Sequence, residues 1–265
     1  MTSNTNEAVE LVSDVTGETT YVVPTAFDAK HLFSHRPPYA QVFAERVPLL
    51  QIFSLAVGNY RADLTASLGR GYLSILRGAI RRPTPFLAVE CGVFSGSSLL
   101  ACASLARDQQ VDFRFIGLDT FEGLPELSAL DKEMAPLKAP YRTRRFFTET
   151  SEASVRQMLE AHGFDQKIAL CRGLFSETLP RLEEARYHFV NIDCDLYEPH
   201  LECLRYFYPR MMPGGVVFFD DYHSVDFPMA REAINLYMGD KPEQLQHLRF
   251  GVDGPNRTKA FFVKY

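Results

Sequence analysis

The sequence lacks the features that are typical of nucleic-acid-binding, membrane-spanning and secreted proteins. Its 28 Lys and Arg residues against 33 Asp and Glu residues give a formal net charge of −5, so there is no overall basic excess to hold a nucleic-acid backbone. The longest apolar stretch, residues 48–58, is too short to cross a bilayer. The first 20 residues contain no basic segment followed by an apolar core, so they do not resemble a signal peptide. We therefore expect a soluble, cytoplasmic protein without nucleic-acid or membrane partners.

Cysteine pairs are also lacking. The five cysteines are odd in number, form no CxxC pair and lie mostly in apolar runs: Cys91, Cys102, Cys171, Cys194 and Cys203. This pattern predicts buried free thiols in a reducing compartment, and it disfavours a disulfide framework or a zinc site.

The chain has 265 residues, of which 46% are hydrophobic and 23% charged, and this suits one α/β domain with an N-terminal extension. Residues 1–30 are polar and leave open a disordered arm or a strand added to a partner. Residues from about 39 to 80 show a helical pattern interrupted at Pro48. These helices would cap a site, form a dimer interface or simply pack in the core. We divide the chain into an arm and helical cap, 1–80, and a main domain, 81–265, and we expect a homo-oligomer.

Beyond residue 81, short apolar runs alternate with helical segments. The apolar runs are 86–92, 113–119, 167–173, 187–193 and 215–221, and the helical segments are 95–108, 151–164, 176–185 and 198–211. Such alternation predicts repeated βα units, and runs that are apolar throughout predict parallel strands covered by helices on both faces. Residues 248–265 resemble a C-terminal antiparallel hairpin. The fold class is therefore α/β and Rossmann-like, with a mostly parallel central sheet.

Acidic residues and glycines recur where these predicted strands end. The strand ends carry Glu90 and Gly92, Asp119, Gly173, Asp193, and the pair Asp220 and Asp221. Carboxylates are costly to bury, and open α/β sheets bind ligands at the carboxyl ends of their strands. We therefore expect the binding site at this edge of the sheet.

The first strand runs into a glycine turn that opens a helix. Its pattern, E-x-G-x-x-x-G-x-S over residues 90–98, allows a tight turn and close approach of a ligand to the backbone. It is neither G-x-G-x-x-G nor a P-loop, which disfavours a nucleotide-dependent dehydrogenase on the same framework. The second strand ends at Asp119, 27 residues after Gly92. An acid there accepts hydrogen bonds from both ribose hydroxyls of a nucleoside cofactor, or it caps a helix.

Four ordered motifs resemble the macrocin O-methyltransferase family, whose members methylate sugar hydroxyls during antibiotic assembly. The stretch DTFEGLP at 119–125 resembles the family's D-S-F-E-G-L-P, and GLFSETLP at 173–180 is similar to G-x-F-x-D-T-L-P. DCDLYE at 193–198 and PGG at 213–215, leading to DDY at 220–222, complete the set. The resemblance covers about residues 86–222.

This resemblance implies a class I, S-adenosylmethionine-dependent methyltransferase. Glu90, Gly92 and Ser98 would flank the methionine part of the cofactor, Asp119 would hold the ribose, and Ser176 would lie near the adenine. The predicted cofactor site further includes Phe94, Ser95, Thr120 and Asp193.

Asp193, Asp220 and Asp221 follow two strands that we expect to be neighbours. Three converging carboxylates repel each other unless a cation or protons neutralise them. Oxygen ligands favour Mg²⁺ or Mn²⁺, and such an ion would act as a Lewis acid on the acceptor hydroxyl. Separate structural roles for the three acids remain the alternative.

Asp193 is the first candidate for the catalytic base, with Asp195 and His223 as further candidates. Catechol-type relatives carry a lysine three residues after the aspartate that corresponds to Asp193, and this chain has Leu196 there. Two adjacent hydroxyls would chelate the metal, so we expect a small-molecule diol, most simply on a sugar of a glycosylated natural product. A phenolic or catechol-like acceptor, or a non-catalytic S-adenosylmethionine-binding protein, remains open.

The connection at residues 122–150 is long enough to form a lid over the site. Arg142, Arg144 and Arg145 would bind an acidic group of the substrate or form a solvated cluster. Phe146 and Phe147 would line an apolar wall or anchor the lid. The segment after Asp221 would place Tyr222, His223 and Phe227 over the substrate.

Overall fold

The structure, a computed structural model, describes residues 10–13, 19–23, 46–75, 85–142, 145–250 and 258–265. Its strands are β1 Glu10–Ser13, β2 Thr19–Val23, β3 Phe86–Cys91, β4 Phe113–Asp119, β5 Ile168–Arg172, β6 Tyr187–Ile192, β7 Met211–Phe219, β8 Gln246–Phe250 and β9 Thr258–Val263. Its α-helices are α1 Val47–Ile75, α2 Ser97–Asp108, α3 Ala129–Met134, α4 Glu152–Ala161, α5 Phe175–Thr178, α6 Tyr197–Phe207 and α7 Pro228–Met238. Three 3₁₀ turns cover Pro140–Arg142, Leu179–Arg181 and Tyr208–Arg210.

One sheet joins all nine described strands in the order β1-β2-β8-β9-β7-β6-β3-β4-β5. The five strands from β7 to β5 are parallel, as the apolar runs predict, and β9 lies antiparallel to β7. Strand β3 pairs with β4 on one side and β6 on the other, so the chain order reverses at β3. Such a reversal opens a crevice at the carboxyl ends of the strands.

Helices cover both faces of the sheet. Alternate strand residues point to opposite faces, so Phe218 packs in one hydrophobic cluster and Phe219 in the other. The first cluster includes apolar residues of α1, α2 and α4, and the second includes those of α6 and α7. The predicted α/β class with helices on both faces is confirmed.

The helical segments differ from the prediction at two prolines. Pro48 does not interrupt a helix; it lies in the first turn of α1, where a missing N–H group costs nothing, and α1 continues unbroken to Ile75. The predicted helix 176–185 is instead the short α5 followed by a 3₁₀ turn that contains Pro180. Residues 39–45, the start of the predicted cap, lie outside the described residues.

The C-terminal hairpin is confirmed in its strands, because β8 and β9 pair antiparallel. Its turn, 251–257, is outside the described residues. Strand β2 pairs with β8, so the described N-terminal strands extend the chain's own sheet. The proposed boundary at residue 80 falls within 76–84, which is also undescribed, so the division into two regions stays a prediction. Among the described helices, none combines the length and hydropathy needed to cross a membrane.

Candidate active site

A cavity of about 620 Å³ opens at the carboxyl ends of β3, β4, β6 and β7. Its wall includes Gly92 and Asp119 on one side and Asp193, Asp220 and Asp221 on the other. The topology explains this arrangement, because the reversal at β3 separates the helices that follow these strands. The predicted placement of the strand-end acids around one site is thus observed.

Gly92 forms the tightest contact of the cavity wall. Its φ is +92°, and a Cβ atom built there would lie 1.7 Å from the backbone oxygen of Asp193. Any side chain would therefore displace the segment that carries Asp193. Gly96 also has a positive φ, and it precedes the first turn of α2.

Asp119 holds the turn between β3 and α2. Its Oδ2 accepts hydrogen bonds from the backbone N–H groups of Val93 at 2.7 Å and Phe94 at 2.9 Å. Its Oδ1 accepts one from the N–H of Phe121 at 2.7 Å. A carboxylate has about four acceptor positions, so Asp119 keeps capacity for a ligand hydroxyl. Thr120 also lines the cavity, and its hydroxyl donates to the carbonyl of Gly123.

Not every predicted cofactor residue lies on the cavity wall. Phe94, Ser98 and Ser176 line it, whereas Glu90 and Ser95 are outside the lining residues. Glu90 is buried beneath the turn, where its Oε1 accepts a hydrogen bond from Asn191 at 2.8 Å. Burial raises the pKa of Glu90 to about 8. Glu90 therefore lies where it supports the turn from below.

The three acids of the predicted metal site converge. Asp193, Asp220 and Asp221 each offer a carboxylate oxygen, and these oxygens all lie within 4.8 Å of one another. Burial, reinforced by Asp220 and Asp221, raises the pKa of Asp193 well above its usual range. Burial and Asp220 likewise raise the pKa of Asp221 to about 7. Without a cation, protons must neutralise part of this cluster.

Lys259 is a site residue that the sequence analysis missed. It lies on β9, beside β7, and its Nζ donates to the Oδ2 of Asp220 at 2.6 Å and to the Asp220 backbone oxygen at 2.9 Å. Its side chain is 16% exposed. Asp220 overcomes the effect of burial and raises the pKa of Lys259, so the lysine stays charged. One of the three acids is thus already paired with a cation.

Asp195 lies next to the three acids in an unusual backbone conformation. Its φ is +62°, which a non-glycine residue rarely adopts. Its backbone N–H donates to the Oδ2 of Asp221 at 3.0 Å, and this bond orients the turn after β6. Burial, together with Asp221 and Asp220, raises the pKa of Asp195 well above its usual range. Asp195 lines the cavity without being one of the three clustered acids.

His223 also lines the cavity, but its imidazole ring already has a hydrogen-bond partner. Its Nε2 and the Nδ1 of the buried His247 share a hydrogen bond of 3.0 Å. Burial lowers the pKa of His223 to about 4, with His247 adding to the effect. Its neighbour Tyr222 is buried, lies off the cavity wall and donates to Asn235, whereas Phe227 does line the cavity.

Several described residues of the long connection 122–150 line the cavity, from Gly123 to Asp131 and at Phe147. Ser128 and Asp131 form a capping box that begins α3. Asp131 is 1% exposed and its Oδ1 accepts from the backbone N–H of Tyr197 at 2.9 Å, so α3 is tied to α6. Phe147 and Phe227 contribute an apolar wall. Arg142 donates to the Ala135 carbonyl instead of facing a ligand, Arg145 is exposed, and Arg144 is not among the described residues.

Comparison with known families decides the assignment. A family model described as macrocin-O-methyltransferase (TylF) matches residues 75–247. The chain belongs to this family. The matched residues include the glycine turn, Asp119 and all three clustered acids, so the described cavity lies in the part that the family shares. Three cavity residues come from outside the match, namely Arg46 just before α1, and Thr258 and Lys259 on β9.

The names of individual relatives describe O-methyltransferases that act on natural products. The 8-demethyl-8-(2,3-dimethoxy-alpha-L-rhamnosyl)-tetracenomycin-C 4'-O-methyltransferase of Streptomyces olivaceus is 30% identical over 63% of this chain and 60% of that protein. The mycinamicin III 3''-O-methyltransferase of Micromonospora griseorubida is 28% identical over 60% of this chain and 63% of that protein. The chain thus spans less than two thirds of the length of these relatives.

Solved structures agree on the fold. The O-methyltransferase NovP is similar with a TM-score of 0.57 and 25% identity, covering 68% of this chain and 72% of NovP. The calicheamicin methyltransferase CalS11 also has a TM-score of 0.57, at 23% identity over 88% of this chain and 89% of CalS11. The class I methyltransferase fold is therefore confirmed.

Proposed function

We propose that this protein is an S-adenosylmethionine-dependent, Mg²⁺-assisted O-methyltransferase that acts on a sugar hydroxyl of a glycosylated natural product. The observation that carries the proposal is one cavity with two unlike ends. A glycine turn held by Asp119 lies at one end, and three carboxylates within 4.8 Å of one another lie at the other. A nucleoside cofactor and an acceptor hydroxyl would meet between them.

The acidic cluster suits a hard divalent cation. It offers only carboxylate oxygens, which is the ligand type that Mg²⁺ and Mn²⁺ prefer. The raised pKa values of Asp193 and Asp221 show that the cluster resists carrying its full negative charge alone. We propose that Asp193, Asp220 and Asp221 hold the ion, which when bound would lower the pKa of the acceptor hydroxyl.

The cofactor supplies a methyl group on a positively charged sulfur. We propose that Asp119 accepts hydrogen bonds from its ribose, with Thr120 and Ser176 near the nucleoside and Gly92, Phe94 and Ser98 along its amino-acid part. The lining positions of these residues support the assignment. Glu90 would support the turn from beneath, where it accepts a hydrogen bond from Asn191. Ser95 would contribute as part of the turn itself.

Asp195 is the favoured base for removing the acceptor proton. A carboxylate that holds a cation is a weaker base, which disfavours Asp193 in this role. His223 has a pKa of about 4 and a ring already hydrogen-bonded to His247, so it accepts a proton poorly at neutral pH. Asp195 lines the cavity and is not one of the three clustered acids, so its carboxylate would remain available to accept a proton when the cluster holds a cation. It would take the proton as the acceptor oxygen bonds to the methyl carbon and the methyl–sulfur bond breaks, which leaves the electron pair on the sulfur of S-adenosylhomocysteine.

The relatives and the candidate metal site both bear on the chemical class of the acceptor. Two relatives carry names of sugar-bearing antibiotics, which favours a sugar in an antibiotic pathway. Two adjacent hydroxyls reach one cation together, which favours a vicinal diol. A phenolic acceptor is the second candidate, since it would stack on the aromatic wall of Phe147 and Phe227. We also propose that residues 81–265 form the catalytic domain of a cytoplasmic enzyme.

The metal role is tested with Asp220→Asn, which removes one charge from the cluster at nearly constant volume. We expect methyl transfer to fall roughly 100-fold or more, and Mg²⁺ binding measured by calorimetry to weaken at least about tenfold. Asp226→Asn is the matched control, because Asp226 lines the same cavity but is exposed and outside the cluster. Full activity of Asp220→Asn in excess chelator would refute the metal role.

A further inference from the structure

The charges on the cavity wall are distributed very unequally. The described lining residues include ten acids: Asp119, Glu126, Asp131, Asp193, Asp195, Glu198, Glu202, Asp220, Asp221 and Asp226. The same lining includes two residues with permanently cationic side chains, Arg46 and Lys259. Among the described side chains of this wall, these two are the ones whose charge attracts a negatively charged part of a ligand.

One of these two cations is already used. Lys259 donates to the carboxylate and the backbone oxygen of Asp220, so it serves the acidic cluster. Arg46 lies on the opposite side, immediately before α1, and shares the wall with Gly92, Phe94 and Ser98. Its Nη2 donates to the hydroxyl of Ser97 at 3.0 Å. A guanidinium has five N–H donors, so this single bond to a neutral hydroxyl orients Arg46 and leaves donors for a ligand.

Arg46 also interacts electrostatically with a buried acid, Glu90. The positive charge of Arg46 favours the ionised form of Glu90, which is 3% exposed, and thereby lowers the Glu90 pKa against the larger effect of burial. Among the described residues, none forms a hydrogen bond with the Glu90 Oε2. Arg46 is thus close enough to Glu90 to favour its ionised form, and it also lines the cavity.

We propose that Arg46 binds the α-carboxylate of S-adenosylmethionine; this inference rests on the proposed function. The cofactor has three arms at its sulfur. The ribose arm is assigned to Asp119 after β4, and the methyl must point to the acceptor near Asp193 after β6. The amino-acid arm is left with the wall at the end of β3, where Arg46, Gly92 and Ser98 lie. An Arg–carboxylate pair is charge-assisted and can form two parallel hydrogen bonds.

This assignment gives the N-terminal region a direct part in cofactor binding. Arg46 is outside residues 75–247, which match the family model, so the proposed contact comes from the N-terminal region and not from the matched part. The competing ligand for Arg46 is a phosphate or another acidic group on the acceptor. The two ligands differ in a measurable way, because only the first makes the affinity for the cofactor depend on its carboxylate.

The test compares two ligands that differ by the amino-acid arm. S-adenosylhomocysteine carries the carboxylate, and 5'-methylthioadenosine keeps the nucleoside and sulfur but lacks that arm. We expect Arg46→Met to weaken S-adenosylhomocysteine binding roughly 10- to 100-fold by calorimetry while methylthioadenosine binding changes less than about threefold. Arg46→Lys keeps the charge and is expected to recover part of the loss.

Arg61→Met is the matched control, since Arg61 lies on α1, donates to the Gln109 carbonyl and is outside the cavity lining. Equal losses for both ligands in Arg46→Met would show a merely structural role and overturn the inference. Unchanged binding of both ligands would also overturn it, and would direct attention to an acidic acceptor. Failure of the wild-type protein to bind S-adenosylhomocysteine would instead refute the proposed function, and the inference with it.

Discussion

The two ends of the cavity use aspartate in opposite ways. At the cofactor end, Asp119 accepts three backbone hydrogen bonds, from Val93, Phe94 and Phe121, so the protein itself satisfies the carboxylate. At the acidic end, Asp193 and Asp221 face other carboxylates and have raised pKa values. The protein's own backbone donors hold the first carboxylate, whereas the second group has one lysine, Lys259, for three acids and needs protons or a metal ion as well. Identical side chains thus hold a turn at one end and form a candidate ion site at the other.

Gly92 is the point where the two ends touch, and its replacement has the largest expected effect. In Gly92→Ala the new Cβ would lie 1.7 Å from the Asp193 backbone oxygen, at a φ of +92°. Backbone must move at the centre of the sheet, so we expect a loss of at least about 3 kcal/mol of folding free energy, or no folded protein. Urea denaturation followed by circular dichroism measures the change.

Gly163→Ala separates crowding from backbone strain. Gly163 also has a positive φ, of +72°, but a Cβ there meets nothing within 4 Å. We expect it to cost only about 1 kcal/mol, the strain of the left-handed conformation. Similar costs for the two variants would show that the cofactor turn and the acidic segment are not held in contact.

The base assignment predicts unequal losses at the acidic end. Asp195→Asn keeps the shape but removes the proton acceptor, so kcat is expected to fall roughly 100- to 10,000-fold with little change in cofactor affinity. His223→Gln is expected to lower kcat by less than about tenfold, because the His223 pKa of about 4 makes it a weak base at neutral pH. Steady-state kinetics with a labelled methyl donor checks both variants, and the reverse order of losses would reassign the base to His223.

The stability of the acidic end is also expected to depend on pH, and a bound metal ion should remove this dependence. The pKa of Asp221 rises to about 7 in the fold, against about 3.9 when unfolded, so the folded state binds more protons between these values. This group therefore stabilises the fold fully below pH 4 and loses its contribution as pH rises toward 7. We expect a slope of up to about 1.4 kcal/mol per pH unit for each such proton.

Thermal denaturation of the metal-free protein, measured between pH 5 and 8 with and without Mg²⁺, tests this dependence. The stabilisation by Mg²⁺ should grow with pH, because the cation replaces protons that the cluster loses. The same scan of Asp221→Asn should show a flatter profile without Mg²⁺. A profile for the wild type that does not respond to Mg²⁺ at any pH would contradict the comparison between the two ends.

Much of the site can be predicted from the sequence, because the ends of strands can be recognised without a structure. Apolar runs locate β3, β4 and β6 to within one residue, and the acids that follow them are local features. Parallel strands bring their carboxyl ends to one edge, so the convergence of Asp193 with Asp220 and Asp221 is a topological consequence.

The missed residues depend on pairing that the local sequence does not specify. Lys259 in a C-terminal hairpin looks like a surface lysine, and its role appears only because β9 lies beside β7. Arg46 precedes a helix far from the motifs in sequence, and its contact with Ser97 spans 51 residues. Glu90 alternates away from the cavity wall, so a strand-end position alone does not decide which way a side chain points.

The left-handed backbone of Asp195 has a consequence for laboratory evolution. Asparagine tolerates this conformation and carries no charge, so Asp195→Asn would relieve repulsion within a buried acidic cluster while it removes the proposed base. A screen that selects only for heat resistance would therefore favour an inactive protein at this position. Thermostable variants of such enzymes are best sought with turnover monitored in every round.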